Sequence, residues 1–187
     1  MTRLAQLTLA IVVALYPFAV YFGMQYLSLG ALLLLLLGIA ALRLLLGGGN
    51  DKVGAKLVAL ALLSVAVFSW LRGSAEGLLW YPVLCNAILL AVFAYSLRQP
   101  QTVIERLARL REPDLPPEGV AYTRRVTQVW CGFFVANGAI AAATVFAGDM
   151  QLWTLYNGLV SYGLMGLLLG GEWLLRRRLQ GRAQDGV

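Results

Sequence analysis

Between Arg3 and Arg43 the chain runs for 39 residues without one Asp, Glu, Lys or Arg. A helix of about 20 apolar residues crosses the roughly 30 Å hydrocarbon core of a bilayer, so this stretch is long enough for two crossings. The rest of the chain has the same character. Charged residues make up 13% of the sequence and hydrophobic ones 60%, whereas an ordinary soluble domain devotes about a quarter of its residues to charge. A soluble enzyme needs a charged exterior that this chain cannot supply, and two cysteines in 187 residues do not make a secreted disulfide scaffold. The expected fold is therefore all-α, a polytopic membrane protein forming a single transmembrane domain over residues 1–187.

The net charge of +6 does not point to nucleic acid, because no soluble basic segment with interleaved aromatics is present. Its basic residues flank apolar runs, where they set topology and meet anionic headgroups. Arg3 followed by Leu7 to Leu15 has the outline of a signal peptide. The apolar run continues past Tyr16-Pro17 without a clean small-x-small cleavage site, so the segment reads as a retained anchor.

Gaps between charges divide the chain into six expected spans, at about residues 4–24, 30–46, 57–71, 77–97, 126–147 and 151–173. Pro17 is expected to kink the first, since proline removes a backbone donor. The Gly47-Gly48-Gly49-Asn50-Asp51-Lys52 stretch is the clearest turn in the first half. No internal repeat is evident, which does not support an inverted-repeat transporter. A six-span arrangement puts Arg3, Arg43, Lys52, Lys56, Arg98, Arg106, Arg109, Arg111, Arg124, Arg125, Arg176, Arg177, Arg178 and Arg182 on one side, and Arg72 alone on the other. By the positive-inside rule both termini then face the cytoplasm of a bacterial inner membrane.

The one sizeable extramembrane segment, residues 99–119, holds an amphipathic stretch followed by prolines. Val103, Ile104, Leu107 and Leu110 share a helical face, while Glu105, Arg106, Arg109 and Glu112 point elsewhere. Such a helix lies in the cytoplasmic interface, and Arg106, Arg109 and Arg111 are its candidate contacts to lipid phosphate.

Residues suited to catalysis are few. Histidine, the commonest general base and metal ligand, is absent. Cys85 and Cys131 are expected about 10 Å apart in depth, too far for a disulfide. Glu172 is the one carboxylate in an apolar run, and its expected partner is Arg176 one turn later. Asp149 stands where it would cap the last span. The polar groups that enter the bilayer are amides: Asn86, Gln128, Asn137 and Asn157. Asn137-Gly138 and Asn157-Gly158 place a hydrogen-bonding side chain beside a residue that admits close helix approach. Asn86, Asn137 and Asn157 thus form a candidate intramembrane polar cluster, either glue between helices or the lining of a lipid path. Asn137 and Asn157, on consecutive antiparallel spans, are expected to meet directly or through a water.

The run Gln99-Pro100, Ile104-Glu105-Arg106-Leu107, Leu115-Pro116, Trp130, Phe133-Phe134, Asn137-Gly138, Trp153 and Asn157 resembles the bacterial intracellular septation protein A family. The string from Ile104 to Pro117 is similar to a sister group encoded beside aryl-polyene (xanthomonadin-like) biosynthesis genes. The resemblance covers roughly residues 80–175. It implies a small inner-membrane protein concerned with division and envelope maintenance, or an accessory to polyene-lipid assembly. The expectation is a protein with no catalytic residues, no metal and no cofactor, whose partners are the bilayer and other inner-membrane proteins. The competing expectation is a small carrier or flippase for an amphipathic lipid or polyene, with the three asparagines as its polar path.

Overall fold

The computed structural model describes residues 16–46, 52–110 and 112–184. It is 87% helix, with no strand among those residues. Three stretches are long and apolar enough to cross a membrane, Glu76–Ser96, Pro117–Ala147 and Met150–Leu174. Two further apolar helical stretches, Leu29–Leu42 and Ala59–Leu71, are shorter. The helices that contain them run over Leu29–Leu46 and Lys52–Arg72, 18 and 21 residues, or about 27 and 31 Å at 1.5 Å per residue. The first part of the expected first span and the turn at Gly47 to Asp51 lie outside the described residues.

The first helix seen, α1, is Tyr16–Tyr26, and α2 follows over Leu29–Leu46. Helix α3, Lys52–Arg72, packs along α2. Small residues make this approach close: Ala40, Ala59, Ala61 and Ala66 are all buried in the core, beside Leu32, Leu36, Leu62 and Val65. Without a hydrophobic driving force between helices in lipid, such close backbone packing supplies the attraction.

Gly73, with φ +61°, ends α3 in the left-handed region that favours glycine. The Ser74 hydroxyl then accepts from the Glu76 N–H at 3.1 Å and opens a tight 3₁₀ turn, Ala75–Trp80. Gly77 in that turn lies on the backbone of α3. A Cβ there would stand 2.8 Å from Ser69 Cα, so no larger residue fits without a shift. The turn runs into α4, Tyr81–Ser96, whose first turn holds Pro82 where no intrahelical donor is lost. The expected span 77–97 is thus two pieces, a 3₁₀ entry and an α-helix.

A seven-residue helix α5, Val103–Arg109, connects α4 to the long α6, Pro117–Ala147. Helix α6 starts nine residues before the expected span at 126, because Pro117 suits a first helical turn and nothing after it breaks the helix. Arg124 and Arg125 are therefore helical. Gly148, at φ +69°, ends α6, and the Asp149 carboxylate accepts from the N–H groups of Gln151 and Leu152 at 2.8 and 3.0 Å. Asp149 caps the next helix as expected.

That last helix is interrupted. It begins as α7, Met150–Leu155, widens over Tyr156–Val160 to a π turn in which Ser161 N–H reaches back five residues to the Tyr156 carbonyl, and continues as α8, Ser161–Gln184. Helices α4 and α6 lie against each other over much of their length, and α1 touches α7 and the π turn. Large apolar side chains remain exposed outside, among them Leu34, Leu71, Val135, Phe146 and Leu167. Apolar exposure on this scale belongs to a surface that meets something other than water.

Candidate functional site: a buried amide network between three helices

The three asparagines lie inside the bundle, with relative exposures of 8% for Asn86 and 4% each for Asn137 and Asn157. Each is there because its helix turns a polar position inward. On α6 the buried face is Thr123, Thr127, Trp130, Phe134, Asn137, Ala141 and Thr144, a stripe of three- and four-residue steps. Gly138 beside Asn137 lets α4 approach: a Cβ at that position would be 3.1 Å from the Cβ of Asn86.

Across this contact the Asn137 Nδ2 donates to Asn86 Oδ1 at 3.1 Å. Asn86 Nδ2 donates in turn to the Pro82 carbonyl one turn back, at 2.8 Å. From the third helix the Tyr156 hydroxyl donates to Asn137 Oδ1 at 2.9 Å. The result is one directed chain, Tyr156 to Asn137 to Asn86 to Pro82, tying the last helix, α6 and α4 together.

Asn157 belongs to a second chain. Its Nδ2 donates to Thr144 Oγ1 at 3.2 Å and to the Trp153 carbonyl at 2.9 Å, and Thr144 Oγ1 donates to the Ala141 carbonyl at 2.7 Å. The expected direct meeting of Asn137 with Asn157 is not what the structure shows. Depth alone suggested the pair, but Asn137 Oδ1 is occupied by the residue next to Asn157. Tyr156 and Asn157 both stand in the π turn, and each bonds to its own partner on α6. π turns of this kind recur at functional sites and at places where a helix must present an unusual face.

A further bond closes the region, from Trp153 Nε1 to the Leu79 carbonyl of the 3₁₀ turn at 3.1 Å. Trp153 is fully buried in the main apolar core. The sequence points to the asparagines, but not to Thr144 or to the bonding roles of Tyr156 and Trp153. Trp153 and Tyr156 read equally well as interfacial anchors, and their partners lie on other helices.

The α5 region is a second polar assembly. Thr102 Oγ1 accepts from the Glu105 N–H at 3.2 Å, half of a capping box whose Thr-x-x-Glu spacing is readable in the sequence. Ser96 Oγ donates to the Phe93 carbonyl at 2.7 Å and accepts from the Val103 N–H at 3.2 Å. Glu105 is only 3% exposed. Arg109 Nε donates to Glu105 Oε1 at 2.9 Å, and its Nη1 donates to the Pro113 carbonyl at 2.8 Å. Arg109 thus fastens α5 to the proline turn, whereas Arg106 is exposed. Arg111 lies outside the described residues. Of the four apolar residues expected on the lipid-facing side of this helix, Val103 and Ile104 are half-buried in the protein, while Leu107 and Leu110 are 56% and 75% exposed.

Next to α5, and apart from the asparagines, a cleft of about 550 Å³ lies between α4, α6 and α8. Phe93, Leu107, Trp130, Phe134, Leu169 and Glu172 are among its walls. The Tyr122 hydroxyl donates to the Glu172 backbone carbonyl at 3.4 Å and ties α6 to α8 there. The pairing of Glu172 with Arg176 lies outside the described side chains. Cys85 and Cys131 are both free thiols. Among the described residues no group of three or more Asp, Glu or Cys is placed to hold a metal ion. Compared with known proteins, the chain matches no family, no curated protein and no solved structure.

Proposed function

We propose that this chain is a non-enzymatic scaffold of the bacterial cytoplasmic membrane, crossing six times with both termini inside, and serving as an envelope factor. Its setting is either cell division and envelope integrity or the assembly of aryl-polyene lipids, as the sequence resemblance in the second half implies. The observation that supports a scaffold is the condition of the intramembrane amides. Asn86, Asn137 and Asn157 are buried and bonded to protein partners, as helix-to-helix glue would be. A carrier that moved a headgroup along these residues would need them to face a water-accessible path. None of the three lines the cleft beside α5.

A deletion strain carrying wild-type or Asn137→Leu protein tests this reading. Protein level, detergent melting and complementation are measured together, with septum placement and polyene pigment as separate readouts. For a scaffold, complementation by the variant follows its abundance. A variant that accumulates and melts like the parent yet fails to complement would put the amides on a transport path.

A further inference from the structure

Among the described residues, the walls of the cleft beside α5 come from four helices and contain one ionisable side chain, Glu172. The remainder are apolar. Phe93, Trp130 and Phe134 form one wall, with ring centroids 5.2 Å apart for Phe93 and Phe134 and 5.6 Å for Trp130 and Phe134. Edge-on and tilted packing of this kind makes a stiff surface. Water has little to bind in such a space, since a held water needs two to four polar partners. The volume of about 550 Å³ falls in the ~300–1000 Å³ typical of small-ligand sites.

Shape and position narrow the occupant. From Met165 to Glu172 the α8 wall rises about 10 Å, a large part of the roughly 15 Å of hydrocarbon in one leaflet. Helix α5 lies at one end, with Ile104, Leu107 and Leu110 in the lining. Leu107 and Leu110 are nonetheless largely exposed, as they would be where lipid chains reach the cleft mouth. At this end Glu172 offers a carboxylate in the wall, a partner for a cationic headgroup. Arg98, Arg124 and Arg125 are exposed after the end of α4 and in the early turns of α6. Arg124 is held to the α4 end by donating from Nη2 to the Leu97 carbonyl at 2.6 Å.

We propose that this cleft holds one acyl chain of a phospholipid whose headgroup carries an amine, phosphatidylethanolamine being the simplest, with the ammonium on Glu172. The site rests on the reading that α4, α6 and α8 cross the membrane. It makes lipid a specific structural partner that braces α5 against the bundle, distinct from any path along the asparagines.

The test uses the full chain in vesicles doped with phosphatidylethanolamine bearing a photoreactive group in one acyl chain, and a matching phosphatidylglycerol probe. Adducts mapped by mass spectrometry are expected to concentrate on the cleft residues of α6 and α8, above the level at Val135 and Ile140 on the outer face. The amine lipid should label the cleft about two- to fivefold more than phosphatidylglycerol, the range of one partly exposed ion pair. Glu172→Gln should abolish that preference while leaving chain labelling. Leu169→Trp should fill the cleft and remove its adducts without changing those at Val135 and Ile140. If this second variant fails to melt like the parent, Glu172→Gln alone carries the result. Equal labelling of cleft and outer face, equal labelling by the two lipids, or cleft-to-cleft cross-links between two copies would each overturn the proposal. Loss of adducts at Val135 and Ile140 as well in the wild type would overturn the membrane reading beneath it.

Discussion

An asparagine in an apolar helix advertises itself in the sequence, but its partner does not. Asn86, Asn137 and Asn157 stand out because each interrupts an uncharged run, and an unbonded amide in hydrocarbon costs several kcal/mol. Which amide meets which depends on the rotation of each helix about its axis. That rotation is set by Gly138 against Asn86 and by the π turn at Tyr156–Val160. Double-mutant cycles should therefore couple Asn86 with Asn137 and leave Asn137 and Asn157 nearly independent. In unfolding experiments in detergent, Asn86→Ala with Asn137→Ala should show an interaction of about 0.6–1.7 kcal/mol. Asn137→Ala with Asn157→Ala should be additive within about 0.5 kcal/mol. The reverse order of couplings would mean that the directed chain from Tyr156 to Pro82 does not exist.

At the scale of elements, α5 joins two kinds of information. Its Thr102-x-x-Glu105 cap and the prolines that follow are local, and the sequence carries both. The burial of Glu105 is not local. Amphipathicity puts that residue on the polar side of the helix, yet it is buried in a helix that packs on α6, and Arg109 folds back to pair with it. Removing one member of such a pair strands a charge, whereas removing both does not. Arg109→Met is accordingly expected to release α5, seen as fast hydrogen exchange over residues 103–109. Glu105→Met in the same chain should restore slow exchange. If the single variant exchanges as slowly as the parent, the pair does not hold the helix down.

For the whole molecule the governing pattern is the distribution of charge, with fourteen of the fifteen basic residues assigned to one side in the six-span arrangement. Three helices have the length and apolarity to cross a membrane. The Leu29–Leu42 and Ala59–Leu71 stretches belong to helices of 18 and 21 residues, which carry Arg43, Lys52, Lys56 and Arg72 where long side chains can reach the headgroups of a bilayer. Reporter fusions at Arg182 and in the segment around residue 73 separate the possibilities. With six crossings the Arg182 fusion is active only with a cytoplasmic reporter, and the fusion near Gly73 only with a periplasmic one. A periplasmic signal at Arg182 removes the even-numbered topology.

The sequence by itself determined the helical membrane class, the Asp149 cap and the identity of the buried amides. Each follows from short-range physics: the cost of charge in hydrocarbon, the orphan N–H groups at a helix start. Tertiary structure decided the rest. The Asn137 bond to Asn86, the bond from Tyr156, the inward Glu105 and the cleft beside Glu172 all depend on how whole helices are rotated and shifted against one another. Those rotations are fixed by side-chain volumes at contacts such as Gly77 on Ser69 and Gly138 on Asn86, where residues far apart in the chain meet.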